Sequence, residues 1–104
     1  MSRLNASCLE CGETLAPSVQ NREFCCAPCR QAWNNRRMQR GGAVFDLYMT
    51  LRHDRATATV LKVWRLLNRL CAEFREEDRR ERAGRRSWRP AAVVLEERPF
   101  LKAI

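Results

Sequence analysis

Cysteines are the residues of this chain whose spacing points most directly to chemistry. Two of them form a C-x2-C motif followed by glycine, Cys8-Leu9-Glu10-Cys11-Gly12, and Cys25, Cys26 and Cys29 follow. A C-x2-C turn presents two thiolates to one metal ion, and a glycine after the second cysteine relaxes the tight turn. The first pair therefore predicts half of a tetrahedral zinc site.

The second half of the site is predicted at the start of a helix. Pro28 suits the first turn of a helix because its missing N–H would have no intrahelical partner there. One thiolate before the first turn and another one turn later can share a metal ion, and the helix dipole favours their negative charge. Both Cys25-x3-Cys29 and Cys26-x2-Cys29 have this spacing, so either Cys25 or Cys26 is spare.

The donor set indicates a structural rather than a catalytic metal. Four thiolates close the coordination shell of zinc, whereas a catalytic zinc keeps an open position and usually recruits His or carboxylate ligands. The only histidine, His53, lies far from the cysteines in the sequence. No Ser/His/Asp arrangement, glycine-rich phosphate loop or close pair of carboxylates is present either. We therefore expect one structural Zn2+ and no enzymatic activity. Unrelated buried cysteines are the alternative, but they would not explain the paired spacing.

The cysteine motif resembles a known family of zinc fingers. Cys8-x2-Cys11-Gly12 followed by Phe24-Cys25-x3-Cys29 is similar to the FCS-type (MYM-like) finger, a treble-clef-like fold in which a zinc knuckle and a helix N-terminus share the metal. The small bacterial zinc-ribbon inhibitors of DNA gyrase have a similar motif. The resemblance covers about residues 8 to 40 and implies the ligands Cys8, Cys11, Cys25 and Cys29. Cys26 stands where the family usually has serine. Such fingers serve both protein and nucleic-acid partners.

A second candidate site is the basic helix that follows the cysteines. Residues 30–40 contain no acidic residue, but they contain amide side chains and Trp33. The four arginines of this stretch are Arg30, Arg36, Arg37 and Arg40. Arginine and amide side chains contact the phosphates and base edges of nucleic acids. We therefore expect these four arginines to bind DNA or RNA. The alternative is a solvated helix in which Trp33 packs against the knuckle and the arginines lie on apolar surface.

Length and charge limit the class of protein. The chain has 104 residues, with 20 Lys+Arg against 12 Asp+Glu and a formal net charge of +8. This length allows one small domain, and the charge indicates a polyanionic partner. No stretch approaches the ~18 apolar residues that a membrane span needs, and the N-terminus lacks the apolar segment of a signal peptide. We therefore expect a cytoplasmic protein, without membrane contact, whose cysteines stay reduced.

Three segments are expected to position these groups. Residues 1–40 form the zinc finger, whose basic helix runs from about Ala27 to Arg40. Residues 41–83 form a helical hairpin, and residues 84–104 form a tail that docks or stays mobile. The tail contains the short apolar run Ala91–Leu95, but Pro90, Pro99 and the lack of a partner strand nearby disfavour a strand here.

The hairpin is expected to contain a short and a long helix. The short helix runs from about Ala43 to Arg52, and the Gly41-Gly42 pair either separates it from the basic helix or lets the two continue as one. The long helix runs without a break from Ala56 to Ala83, with Asp54 or Thr57 as its N-cap. We expect its charged end, Glu73 to Arg82, to fray into solvent.

Apolar stripes of helical period define the expected core of the hairpin. The first stripe consists of Val44, Leu47, Tyr48 and Leu51, and the second of Val60, Val63, Leu67, Leu70 and Phe74, widened by Leu61, Trp64, Leu66 and Cys71. Pairing the two stripes would bury both. Because they are wider than one helix covers, a homodimer through the helical half is the alternative.

The sequence therefore predicts a small, zinc-stapled, mainly α protein with a treble-clef-like finger followed by a helical hairpin. The predicted function is that of a non-enzymatic zinc-finger protein that binds DNA or RNA as a small bacterial regulator. The alternative is a protein-binding adaptor or inhibitor that acts on a cytoplasmic enzyme.

Overall fold

The computed structural model describes residues 6–19 and 22–103. The other residues of the predicted finger and tail, 1–5, 20, 21 and 104, lie outside the described part. Four α-helices are present in it: α1 Ala27–His53, α2 Arg55–Val60, α3 Val63–Glu81 and α4 Ala91–Glu97. Two 3₁₀ helices, Pro17–Val19 and Pro99–Ala103, complete the regular structure together with a single antiparallel bridge between Ser7 and Thr14. The predicted mainly α fold is confirmed. None of these helices is long and apolar enough to cross a bilayer.

Helix α1 continues through Gly41-Gly42, so the two helices predicted on either side of this pair are one. Pro28 lies in its first turn, as expected, and the extended residue Cys26 is its N-cap. Its 27 residues span about 40 Å at 1.5 Å per residue. The same helix therefore reaches from the cysteines to the far end of the molecule.

The prediction of one long helix from Ala56 to Ala83 is wrong. The chain leaves the helix at Leu61, and Lys62 adopts a left-handed conformation with φ 56° and ψ 47°. This residue separates α2 from α3, and both of these helices contact α1. The N-cap at Asp54 is confirmed, since its carboxylate accepts the Thr57 N–H at 3.2 Å.

Helices α1 and α3 pack antiparallel. Arg40 in the middle of α1 contacts Asp78 near the end of α3, whereas Leu51 near the end of α1 lines a common hollow with Trp64 at the start of α3. The buried hydrophobic residues among those described are Cys8, Leu15, Trp33, Ala58, Val63 and Leu67. The molecule measures only 18 Å in its shortest dimension. The two helices therefore form a single layer that leaves much of its apolar surface exposed.

The predicted core of the hairpin is correct only in part. Val63 and Leu67 are buried, but Val60 and Trp64 are 78% and 60% exposed, and Cys71 is exposed as well. The left-handed turn rotates α2 relative to α3, so the stripe is not continuous in space. In addition, the buried residues of α3 are only Val63, Leu67 and Asp78, so one side of the helix is covered.

The C-terminal end of α3 does not fray, contrary to the prediction. Asp78 is fully buried and Arg82 is only 5% exposed, because both pack between the knuckle and the tail. The tail itself docks. Arg89 donates two hydrogen bonds to the Glu23 carboxylate at 2.7 and 2.8 Å, and the apolar run forms α4 rather than a strand.

Candidate metal centre

Four cysteine sulfurs form a compact cluster beside the N-terminus of α1. The Sγ atoms of Cys8, Cys11, Cys25 and Cys29 all lie within 4.8 Å of one another. Cys25 Sγ lies 3.7 Å from Cys11 Sγ and 3.6 Å from Cys29 Sγ. Thiolates that surround zinc tetrahedrally at ~2.3 Å are separated by about 3.8 Å. The cluster therefore has the spacing of a tetrahedral metal site.

The C-x2-C turn supplies two of these sulfurs. The Gly12 N–H donates to the Cys8 carbonyl at 3.0 Å, and the Cys8 N–H donates to the Glu13 carbonyl at 2.8 Å. Gly12 has φ +79°, and a Cβ at this position would lie 3.2 Å from Cδ of Arg85. Glycine is required here by the left-handed backbone and by the close approach of the arginine.

Cys25, rather than Cys26, belongs to the cluster. The Cys26 sulfur lies 3.6 Å from that of Cys25 but outside the group of four. The two cysteines are adjacent at the extended N-cap of α1, where successive side chains point in different directions. The structure therefore groups the same four cysteines that the family resemblance implies.

The thiols of the cluster ionise unequally. Burial opposes ionisation of Cys8, but the backbone N–H groups of Cys11, Cys25 and Glu10 outweigh it and lower the pKa of the Cys8 thiol to about 7. In contrast, hydrogen bonding with the Cys26 thiol raises the pKa of Cys25 to about 12 and also raises the pKa of Cys29. A divalent cation would favour the charged form of all four ligands.

The four predicted nucleic-acid-binding arginines divide into two pairs. Arg36 donates two hydrogen bonds to the Glu10 carboxylate at 2.8 and 2.6 Å. Arg40 binds Glu77 and Asp78, each at 2.9 Å, and its side chain is only 13% exposed. Arg30 and Arg37 are exposed, and neither forms an ion pair with any described residue. The structure thus leaves Arg30 and Arg37 accessible, whereas Arg36 and Arg40 form contacts within the protein.

Arg82 is a structural residue that the sequence analysis missed. Its guanidinium donates to the Leu9 carbonyl at 2.9 Å and to the Glu10 carboxylate at 2.8 Å, and it lies 5.6 Å from the centre of the Trp33 ring. These contacts join the last turn of α3 to the C-x2-C turn. In the sequence, Arg82 belongs to a run of mixed charges that is typical of a solvated helix face, so no local signal distinguishes it.

Glu10 and Asp78 are the two carboxylates of the same network. Hydrogen bonding from Arg36 is the main reason that the pKa of Glu10 is below its ordinary value. Burial opposes ionisation of Asp78, but hydrogen bonds from Arg40 and Ser87, at 2.9 and 2.7 Å, lower its pKa overall. Both carboxylates are therefore charged at neutral pH, and the arginines compensate them.

Comparison with protein-family models, curated proteins and solved structures finds no match to this chain. The finding that bears on function is therefore the cluster of four cysteine sulfurs, which could hold a metal ion.

Proposed function

We propose that this chain is a non-enzymatic, cytoplasmic zinc-finger protein that binds DNA or RNA through the exposed side of α1 next to the metal centre. The all-thiolate donor set and tetrahedral spacing support zinc as the ion. Bound zinc would supply folding free energy rather than reactivity, since four thiolates leave no open coordination position.

One observation carries the nucleic-acid proposal. Arg30, Asn34 and Arg37 follow each other at i, i+4 and i+7 on one side of α1, and all three are exposed. The nearby carboxylates Glu10 and Asp78 are bound by other arginines. Among the described residues no carboxylate thus pairs with these exposed cations, which can contact phosphates, while the amide can contact a base edge.

The metal centre explains how this side of α1 would be held in place. Cys29 lies in the first turn of α1, directly before Arg30. Coordination of Cys29 together with the C-x2-C turn would fix the helix start relative to the knuckle. The Arg82 contacts with Leu9 and Glu10 hold the same knuckle from the opposite side. Arg30, Asn34 and Arg37 would therefore lie on a helix whose start is fixed by the metal centre.

Fluorescence anisotropy with labelled duplex DNA and single-stranded RNA, measured over a range of salt concentrations, tests the proposal. The double variant Arg30→Glu/Arg37→Glu should bind at least about tenfold more weakly, with a salt slope on duplex DNA smaller by ~0.9 for each lost phosphate contact. Arg65→Glu/Arg69→Glu makes the same charge change at exposed positions of α3 and is the matched control. An equal loss of affinity in the control would place the nucleic-acid site on α3 instead of α1. Absence of any salt-dependent binding would exclude this function.

A protein-binding adaptor is the second candidate, and exposed apolar side chains favour it. Met38, Phe45 and Tyr48 of α1 are 76%, 64% and 49% exposed. Several exposed apolar side chains on one helix indicate an interaction site, whereas single exposed apolar side chains are common on protein surfaces. The same surface would also allow a homodimer through the helical half. Affinity purification from the native host with and without nuclease separates nucleic-acid binding from protein binding. Partners that are bound through nucleic acid are lost after nuclease treatment, whereas a directly bound protein is retained.

A further inference from the structure

A groove lies between α1 and α3. Its volume is about 880 Å3, and both helices and the segment after α3 line it. The apolar lining consists of Met38, Gly41, Val44, Cys71, Phe74 and Trp88. Val44 and Phe74 form a half-buried floor, whereas Met38 and Trp88 are 76% and 47% exposed at its edges. The groove therefore offers a concave apolar surface to a partner.

The charged residues that line the groove are all arginines. Arg40 is neutralised by Glu77 and Asp78, but Arg37 forms no ion pair within the described chain, and Arg75 donates only to the Gly84 carbonyl while stacking on Trp88. No described Asp or Glu lines the groove. An acidic occupant is thus electrostatically complementary, whereas a second copy of this chain would bring the same cationic edge and be repelled.

Gly41 lines the groove without a side chain. Glycine inside a helix costs about 1 kcal/mol relative to alanine. A Cβ at this position would meet no atom within 4 Å, so no contact among the described residues requires glycine here. The missing side chain leaves the α1 backbone open to close packing from outside. Two antiparallel helices with a groove between them form a seat for a third helix.

We propose that this groove binds an amphipathic helix of a partner protein, with apolar residues over Gly41 and Val44 and acidic residues against Arg37 and Arg75. The groove shares Asn34 and Arg37 with the proposed nucleic-acid surface, whereas Gly41 and the apolar residues that line the groove belong to this proposal alone.

The test uses the zinc-loaded full-length chain and a fluorescent synthetic helix of about 18 residues, with leucines along one side and glutamates flanking them. The peptide should bind, and Gly41→Leu should weaken binding at least about tenfold by filling the groove. Gly42→Leu is the matched control, since Gly42 does not line the groove and its added Cβ also meets open space. Both variants introduce a better helix former, so both should fold, which circular dichroism and zinc content check.

A second arm tests the charge. The same peptide with lysine in place of glutamate should bind at least about tenfold more weakly, and Arg37→Glu should weaken binding of the glutamate peptide. Absence of glutamate-peptide binding, or equal binding by Gly41→Leu and wild type, overturns the proposal. The proposal is also overturned if Gly41→Leu abolishes binding of a single-stranded oligonucleotide but not of the peptide, since the occupant would then be nucleic acid. Dissociation of a homodimer by Gly41→Leu would overturn it as well, since the occupant would then be a second copy of this chain.

Discussion

Arg82 and Glu10 are 72 positions apart in the chain, yet the Arg82 Nη1 atom donates to Glu10 Oε1 at 2.8 Å. Through this contact the end of α3 lies against the C-x2-C turn of the metal centre. Because the same guanidinium also binds the Leu9 carbonyl, the knuckle and α3 share one polar network. Folding of the finger and of the helical half should therefore be coupled.

Arg82→Met should lower the free energy of unfolding by about 1–3 kcal/mol, because it removes the only side-chain donor to the Leu9 carbonyl among the described residues and one of the two arginines that bind the part-buried Glu10 carboxylate. Urea denaturation followed by circular dichroism measures the loss. Arg79→Gln is the matched control, since its ion pair with Glu76 is exposed and should contribute less than about 1 kcal/mol. Equal, small losses in both variants would contradict the coupling.

The contribution of Asp78 to stability should disappear in acid. Its pKa in the folded chain is below its ordinary value of 3.8, so its stabilising effect is fully present above that value and is lost as the pH falls through the lowered pKa. Wild type should be more stable than Asp78→Asn at pH 7, and the difference should shrink below about pH 4. Urea denaturation of both proteins at several pH values measures it. A difference that does not vary with pH would contradict the assignment.

Serine substitutions distinguish Cys25 from Cys26. Cys8→Ser, Cys11→Ser, Cys25→Ser and Cys29→Ser should each reduce the zinc content and destabilise the finger, because each removes one of the four clustered sulfurs. Cys26→Ser should keep stoichiometric zinc. Elemental analysis and circular dichroism measure the two effects. Loss of zinc from Cys26→Ser but not from Cys25→Ser would show that Cys26, and not Cys25, is the fourth ligand.

Glycine substitutions should have opposite effects at two positions. Gly41→Ala should stabilise the chain by about 1 kcal/mol, equivalent to a rise of roughly 4–8 °C in Tm for a domain of this size, because its new Cβ meets open space in a helix. Gly12→Ala should destabilise the chain, since its φ is +79° and the Cβ would lie 3.2 Å from Arg85. Differential scanning fluorimetry of the zinc-loaded variants compares them, and shifts of the same sign would contradict this account.

Local chemistry made several features predictable. The spacing of Cys8 with Cys11 and of Cys25 with Cys29 identifies a cluster because a tetrahedral site imposes short, defined separations along the chain. Pro28 marks the start of α1 and Asp54 caps α2 through interactions with residues only a few positions away. Burial of Trp33 also follows from its place one turn after Cys29 in a helix that faces the knuckle.

The tertiary structure alone decided the position of the helix break and the roles of the charges. Lys62 adopts a left-handed conformation between α2 and α3, which both contact α1, and no glycine or proline signals this bend in the sequence. Asp78 and Arg36 look like ordinary solvated charges locally, yet both are taken into the network when the knuckle packs on the two helices. A charged side chain is buried only where partners from distant segments compensate it, and such partners are defined by packing rather than by spacing along the chain.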